Sequence, residues 1–125
     1  MSIIYYVGAT VAPESQFRLW HHFGSIAKHP HVTLAYSRKW FPYKPAKFFP
    51  LVIEPPYKFE DLGELKVLSI SSQRLFERHI ELRNAGAEWD FDQFRAHITL
   101  GIIGAPLPDF PIILSSENYQ TWEEE

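Results

Sequence analysis

Two six-residue stretches constrain this chain more than anything else in it: His31-Val32-Thr33-Leu34-Ala35-Tyr36 and His97-Ile98-Thr99-Leu100-Gly101-Ile102. Each runs histidine, β-branched residue, threonine, leucine, small residue, bulky residue, which is the alternation and composition of a strand. The chain has four threonines, and two of them fall in these matched positions. Because strand side chains alternate, the pattern predicts His31 and Thr33 on one face with Val32, Leu34 and Tyr36 on the other. It likewise sets His97 and Thr99 against Ile98, Leu100 and Ile102. One face is expected to be core and the other chemistry. The third residue on the polar face is then Ala35 or Gly101, each small enough to leave room for a ligand against the sheet.

The paired His-x-Thr motifs resemble those of the 2H phosphoesterase superfamily, whose members have two pseudo-symmetric lobes, each presenting one motif to a shared cleft. That resemblance implies an α+β fold of antiparallel sheets with outer helices around a central cleft, with residues 1–125 forming a single domain. A narrower resemblance lies in Tyr36-Ser37-Arg38-Lys39 after the first motif, and in Gly86-Ala87 followed by Trp89-Asp90-Phe91-Asp92 before the second. These segments are similar to the phage anti-CBASS phosphodiesterases, which degrade the cyclic oligonucleotide signals of bacterial immunity. The implied partner is a small cyclic oligonucleotide, met in the host cytoplasm if the chain is phage-encoded.

At 46% hydrophobic the chain has ample material for a globular core. It has no apolar run of membrane-spanning length, and Met1-Ser2-Ile3-Ile4 lacks the charged region of a signal peptide, so a soluble intracellular protein with no membrane partner is expected. The absence of cysteine removes disulfides, thiolate metal sites and a cysteine nucleophile. A net charge of -3 argues against long nucleic acid as a partner, since duplex affinity comes largely from many Lys and Arg displacing counterions. The charge is unevenly spread. From Ser15 to Ile53 there is no acid and six cations, Arg18, Lys28, Arg38, Lys39, Lys44 and Lys47. The same stretch holds the first motif and many aromatics, a mixture suited to phosphates and stacked bases. Most of those aromatics are expected in the core, with Trp40 and Tyr43, in a proline-bounded loop, the exceptions.

Along the chain, Ile3 to Ala9 predicts an opening strand, and Pro13 and Gly24 bound a helix reaching Phe23. His21 and His22 on that helix read as surface or half-buried residues. Arg38 to Pro50 is a long loop, of a length that suggests function. Phe48 to Ile53 and Leu65 to Ile70 read as strands able to pair as a hairpin, joined through an acidic turn at Glu60-Asp61-Leu62-Gly63. Ser72 to Ala85 has helical apolar spacing, with His79 packed on the stripe and Gly86 as a C-terminal cap. Trp89 to Phe94 is an acidic aromatic loop. After Gly104-Ala105-Pro106, Phe110 to Leu114 predicts a last strand, and Glu117 to Glu125 an acidic tail.

Two histidines facing one phosphodiester divide the proton work, one neutral and accepting from the nucleophile, the other charged and donating to the leaving oxygen. Their ordinary pKa near neutrality serves both roles. The candidate catalytic residues are therefore His31, Thr33, His97 and Thr99, the threonines donating to the non-bridging oxygens. His29, His31 and a third donor would make a weak zinc signal, and neither metal nor cofactor is expected. The candidate substrate-binding residues are Tyr5, on the opening strand, Trp40 and Tyr43 in the basic loop, and Glu117 and Trp122 in the tail. Glu117 would accept from a base edge and Trp122 close over the cleft as a lid. Which histidine is acid, whether a ribose 2′-hydroxyl or water attacks, and the oligomeric state are left open by the residues. So are two other readings: an RNA-end or 2′,3′-cyclic-nucleotide phosphodiesterase, and a non-catalytic module that sequesters cyclic nucleotides.

Overall fold

Helix boundaries follow from the residues that punctuate them. Pro13 opens the first helix, where its missing N–H costs nothing. Gly24 closes it in the left-handed conformation (φ 78°), its N–H returning 2.7 Å to the Trp20 carbonyl. The second helix starts on Ser72, whose hydroxyl accepts from the Leu75 N–H at 3.2 Å. It ends with Gly86 at φ 120°, where the Gly86 and Ala87 N–H groups bond back to the carbonyls of Arg83 and Leu82, both at 3.0 Å.

The computed structural model describes residues 2–91, 93–101 and 105–124. Met1, Asp92, Ile102, Ile103, Gly104 and Glu125 lie outside the described residues, and with them the last position of the second motif and one end of each of four segments named above. The order is β1 (Ser2–Val11), α1 (Pro13–Phe23), β2 (His31–Ser37), β3 (Leu51–Ile53), β4 (Lys58–Leu62), β5 (Leu65–Ser69), α2 (Gln73–Asn84), β6 (His97–Gly101) and β7 (Ile112–Glu124). Two antiparallel sheets form, one ordered β2-β1-β7-β3 and the other β4-β5-β6. The two motif strands, β2 and β6, are edge strands of different sheets and lie against each other. Helix α1 packs against β7 and α2 against β2. A single apolar cluster runs through both sheets, from Val7, Val32 and Leu114 to Leu68 and Ile98, with Leu19, Leu75 and Leu82 supplied by the helices. The architecture is thus α+β with antiparallel sheets. No helix among the described residues is long and apolar enough to cross a membrane.

Three sequence expectations are corrected. Leu51–Ile53 does not pair with Leu65–Ser69; it pairs with Ile112–Leu114 of β7, while β5 lies between β4 and β6. The acidic turn is mostly strand: Lys58–Leu62 pairs with β5 down to Leu62↔Leu65, leaving the two-residue turn Gly63-Glu64 with Gly63 at φ 64°. The signal for that turn was present, since a glycine at the first of two turn residues is a hairpin signature, but the acids masked it. Glu117 to Glu124 is no tail. It continues β7, which pairs with β1 from Val11↔Leu114 to Ser2↔Glu124 and with β3 on its other side at Ile112–Leu114.

The strand setting also explains Glu117 and Tyr43. Glu117 pairs with Ala9 and shares the core side of the sheet with Val7 and Tyr119. There its carboxylate, 2% exposed, receives the buried Arg78 guanidinium at 2.8 and 2.7 Å and the Tyr43 hydroxyl at 2.7 Å. Arg78 also donates to the Lys44 carbonyl at 2.6 Å, and Tyr43 stacks on Tyr119 at 4.5 Å between ring centres. The long loop is therefore pinned to α2 and β7 from beneath. Glu117→Ala should leave the guanidinium buried and unpaired, costing about 3–5 kcal/mol in urea denaturation, and truncation after Ser116 should unfold the sheet.

His79 of α2 is 1% exposed. Burial lowers its pKa, opposed by the bond its Nδ1 makes to the Leu34 carbonyl. The unfolded chain then binds the proton more readily than the native one. Stability should accordingly fall as pH drops below about 6.5, until the depressed native pKa is passed. A urea midpoint series between pH 8 and 5 checks this, and a midpoint rising on acidification would contradict it.

Candidate functional site

The strands that carry the motifs are not regular. Along β2 the pairs with β1 run Thr10↔His31, Ala9↔Val32 and Gly8↔Thr33, then resume at Val7↔Ala35 and Tyr6↔Tyr36, so Leu34 is skipped. Along β6 the pairs with β5 run Ser69↔His97, Leu68↔Ile98 and Val67↔Thr99, then resume at Lys66↔Gly101, so Leu100 is skipped. Both motifs bulge at the same residue. A bulge inserts one residue and reverses the alternation beyond it. Tyr36 therefore joins the face of His31 and Thr33, contrary to the simple strand reading, while Ala35 turns into the core at 1% exposure. Gly101 sits past the second bulge at φ 94°, a conformation that favours glycine. The small residue that makes room on the histidine face is instead Gly8, opposite Thr33. A methyl group there would fall on the Tyr6 hydroxyl.

Each motif histidine is held in the same way. His31 Nδ1 lies 2.8 Å from the carbonyl oxygen of His29, and His97 Nδ1 lies 2.9 Å from that of Arg95, in both cases two residues back. A carbonyl only accepts, so each Nδ1 carries the proton, and in the neutral ring Nε2 presents its lone pair. His29 adopts φ 53°, the only described non-glycine residue with positive φ. That conformation costs free energy, and here the strained residue carries the carbonyl that orients His31.

Thr33 and Tyr36 of β2 and His97 of β6 line one cavity of about 710 Å³. Its other walls are Glu60, Asp61, Leu62 and Val67 from the β4–β5 hairpin, and Trp89, Asp90, Phe91, Gln93 and Arg95 from the loop before β6. His31 and Thr99 stand on the same strand faces as Thr33 and His97. Tyr6 approaches His31 edge-on at 6.0 Å between ring centres and Trp122 at 5.7 Å, and Tyr36 lies 6.0 Å from Trp122. Burial raises the Tyr6 pKa, while the Thr33 hydroxyl acts in the opposite sense. The Tyr36 hydroxyl donates to Glu124 at 2.9 Å. Among the described residues no three His, Asp or Glu side chains gather as a metal-binding group.

The structure brings part of the expected set together. Tyr5 packs on the core cluster, and its neighbour Tyr6 takes the histidine face. Trp122 does meet that face, but as a residue of β7 and not as a lid. Tyr43 and Glu117 belong to the buried Arg78 network on the other side of the sheet. Trp40 is 63% exposed and is not among the residues lining the cavity. None of the six cations between Ser15 and Ile53 lines it either; Arg38 stands behind the wall, on Asp90 at 3.0 Å and 5.7 Å from the centre of the Tyr36 ring. Three carboxylates and the Arg95 guanidinium supply the charged side chains of the wall instead. The residues with polar or aromatic side chains that sequence reading passed over as site groups include Tyr6, Tyr36, Glu60, Asp61, Trp89, Asp90, Phe91 and Arg95. His21 is exposed, and His22 bonds the Pro106 carbonyl at 2.7 Å.

The family model described as Anti-CBASS protein Acb1 matches residues 24–108, which include both motifs and every cavity-lining residue named above. The Anti-CBASS protein Acb1 of Enterobacteria phage T4 is 34% identical over 96 residues, covering 70% of this chain and 62% of the phage protein. The chain thus spans somewhat under two thirds of that relative's length. With both motifs and the cavity inside the matched segment, this chain belongs to the Anti-CBASS protein Acb1 family.

Proposed function

We propose that this chain is a metal-independent phosphodiesterase of the 2H type that opens small cyclic oligonucleotides, and that it thereby counters CBASS, as the family's name states of its members. The observation that carries the reading is the repeated Nδ1-to-carbonyl bond, which leaves His31 and His97 with Nε2 available for proton transfer. One neutral imidazole takes the proton from the attacking hydroxyl as the new phosphorus–oxygen bond forms. The other, charged, gives its proton to the oxygen that leaves as the old bond breaks. Thr33 and Thr99 donate to the non-bridging oxygens as charge gathers on them. The aromatic rings of Trp89 and Phe91 give bases a surface to stack on, and Glu60, Asp61 and Asp90 accept from the N–H groups of base edges.

Incubation with cyclic dinucleotides, followed by mass analysis, tests the reaction. A mass gain of one water indicates hydrolysis to a linear product, an isomer of unchanged mass but altered chromatographic mobility indicates opening by a ribose 2′-hydroxyl, unaltered ligand retained on the protein indicates sequestration, and cleavage confined to 2′,3′-cyclic phosphates indicates the RNA-end reading. His31→Ala and His97→Ala should each lower the rate by roughly 10²- to 10⁴-fold. The double variant should be little slower, because the pair acts as a unit. Thr33→Val and Thr99→Val should each cost about 3 kcal/mol of transition-state stabilisation. Activity should survive a chelator; loss restored by zinc would overturn the metal-independent mechanism.

Base recognition is assigned to the cavity rim and not to the basic loop. Phe91→Ala should raise KM by roughly 5- to 150-fold, the equivalent of about 1–3 kcal/mol of stacking, whereas Trp40→Ala should leave KM unchanged. The reverse result would return recognition to the loop.

A further inference from the structure

The buried imidazole of His79 takes no part in the proton transfers above, yet it touches both halves of the site. Its Nδ1 donates to the Leu34 carbonyl at 2.8 Å. Leu34 is the skipped residue of the first motif, and a buried carbonyl at a bulge needs a donor from outside the ladder. The flat face of the same ring stacks on Phe94 at 4.3 Å with the planes 12° apart, and its edge meets Trp89 at 4.7 Å. Phe94 immediately precedes Arg95, whose carbonyl orients His97, and Trp89 lines the cavity. Among the described residues His79 Nε2 has no hydrogen-bond partner, and burial lowers the pKa of the ring, which favours the neutral form and a role as a wedge over one as a proton carrier.

We infer that His79 is a positioning residue: by holding the Leu34 bulge on one side and the Trp89–Phe94 segment on the other, it sets the first motif in register with the second. The inference rests on the proposed phosphodiesterase reaction, which needs both histidines placed about one phosphate. No simpler side chain meets both functions of the ring. Phenylalanine would keep the stack and lose the donor; asparagine would keep a donor and lose the ring. The two substitutions therefore separate the contacts.

His79→Phe and His79→Asn are compared with the parent at pH 8 on a cyclic dinucleotide, together with NMR of the His31 and His97 side chains. In His79→Phe we expect kcat to fall about 10- to 100-fold, the scale of an ångström-sized misplacement, with KM within about twofold and the His31 signals displaced. In His79→Asn the His31 signals should return toward the parent's while those of His97 move. A merely structural residue would change stability and leave the kcat of the folded fraction and both sets of signals alone, which would overturn the inference. Should His79→Phe not fold, His79→Asn decides by its His97 signals and kcat. A parent that cleaves nothing defeats the phosphodiesterase reading, and the displacement of the histidine signals then decides the positioning role alone.

Discussion

The site depends on two skipped residues. Without the bulges at Leu34 and Leu100, strict alternation would carry Ala35 and Gly101 onto the histidine faces and turn Tyr36 away. With them, His31, Thr33, Tyr36 and Tyr6 share one surface, and Tyr6 fits because Gly8 has no side chain to oppose it. A bulge leaves backbone groups outside the ladder, and the first is satisfied by a helix of the chain's second half, through His79. The irregularity that shapes the first motif is thus stabilised only when α2 is docked. Packing and site geometry are coupled at that point.

A second coupling lies on the opposite side of the same sheet. Glu117 and Arg78 are both buried, and burying two ions is costly unless they satisfy each other and their remaining hydrogen-bonding groups. Here the carboxylate takes two bonds from Arg78, one from Tyr43 and one from the Ala46 N–H, and Arg78 spends another donor on the Lys44 carbonyl. The arrangement joins α2, β7 and a loop that has no strand or helix of its own. Phe41, buried in the core, anchors the start of this loop, and the charge network with the Tyr43–Tyr119 stack fixes its path beyond that point.

Between these anchors, the cavity opens where the edges of two sheets meet. Each sheet contributes a strand whose histidine is tied back to its own chain, so neither ring needs the other sheet for its tautomer. In the proposed reaction, what the meeting of the sheets supplies is proximity, which would convert two separate proton-transfer groups into a pair. The cavity wall balances Glu60, Asp61 and Asp90 against Arg95, while Lys66 and Arg38 sit on Asp61 and Asp90 at 3.3 and 3.0 Å. Charge around the proposed phosphate position is therefore locally compensated, and aromatic surface is left for the rest of the substrate.

Local chemistry was legible in the sequence. The two motifs, the Pro13–Gly24 helix, the Ser72 to Gly86 helix with its packed His79, and the division of His and Thr from apolar neighbours all follow from rules that act within a few residues: alternation, capping and the left-handed freedom of glycine. Whatever depended on a partner far along the chain was not. The sequence could not say that Leu51–Ile53 prefers β7, that the acids from Glu117 onward belong to a long strand paired with β1, or that Tyr6 and not Tyr5 meets the histidine. In each case the answer is a register or a parity, fixed by hydrogen bonds to a distant strand, and a shift of one residue reverses every side chain. The residues by themselves determined which groups are proposed to carry the chemistry; the tertiary structure decided which of them face one another, because only the pairing of strands chooses a face.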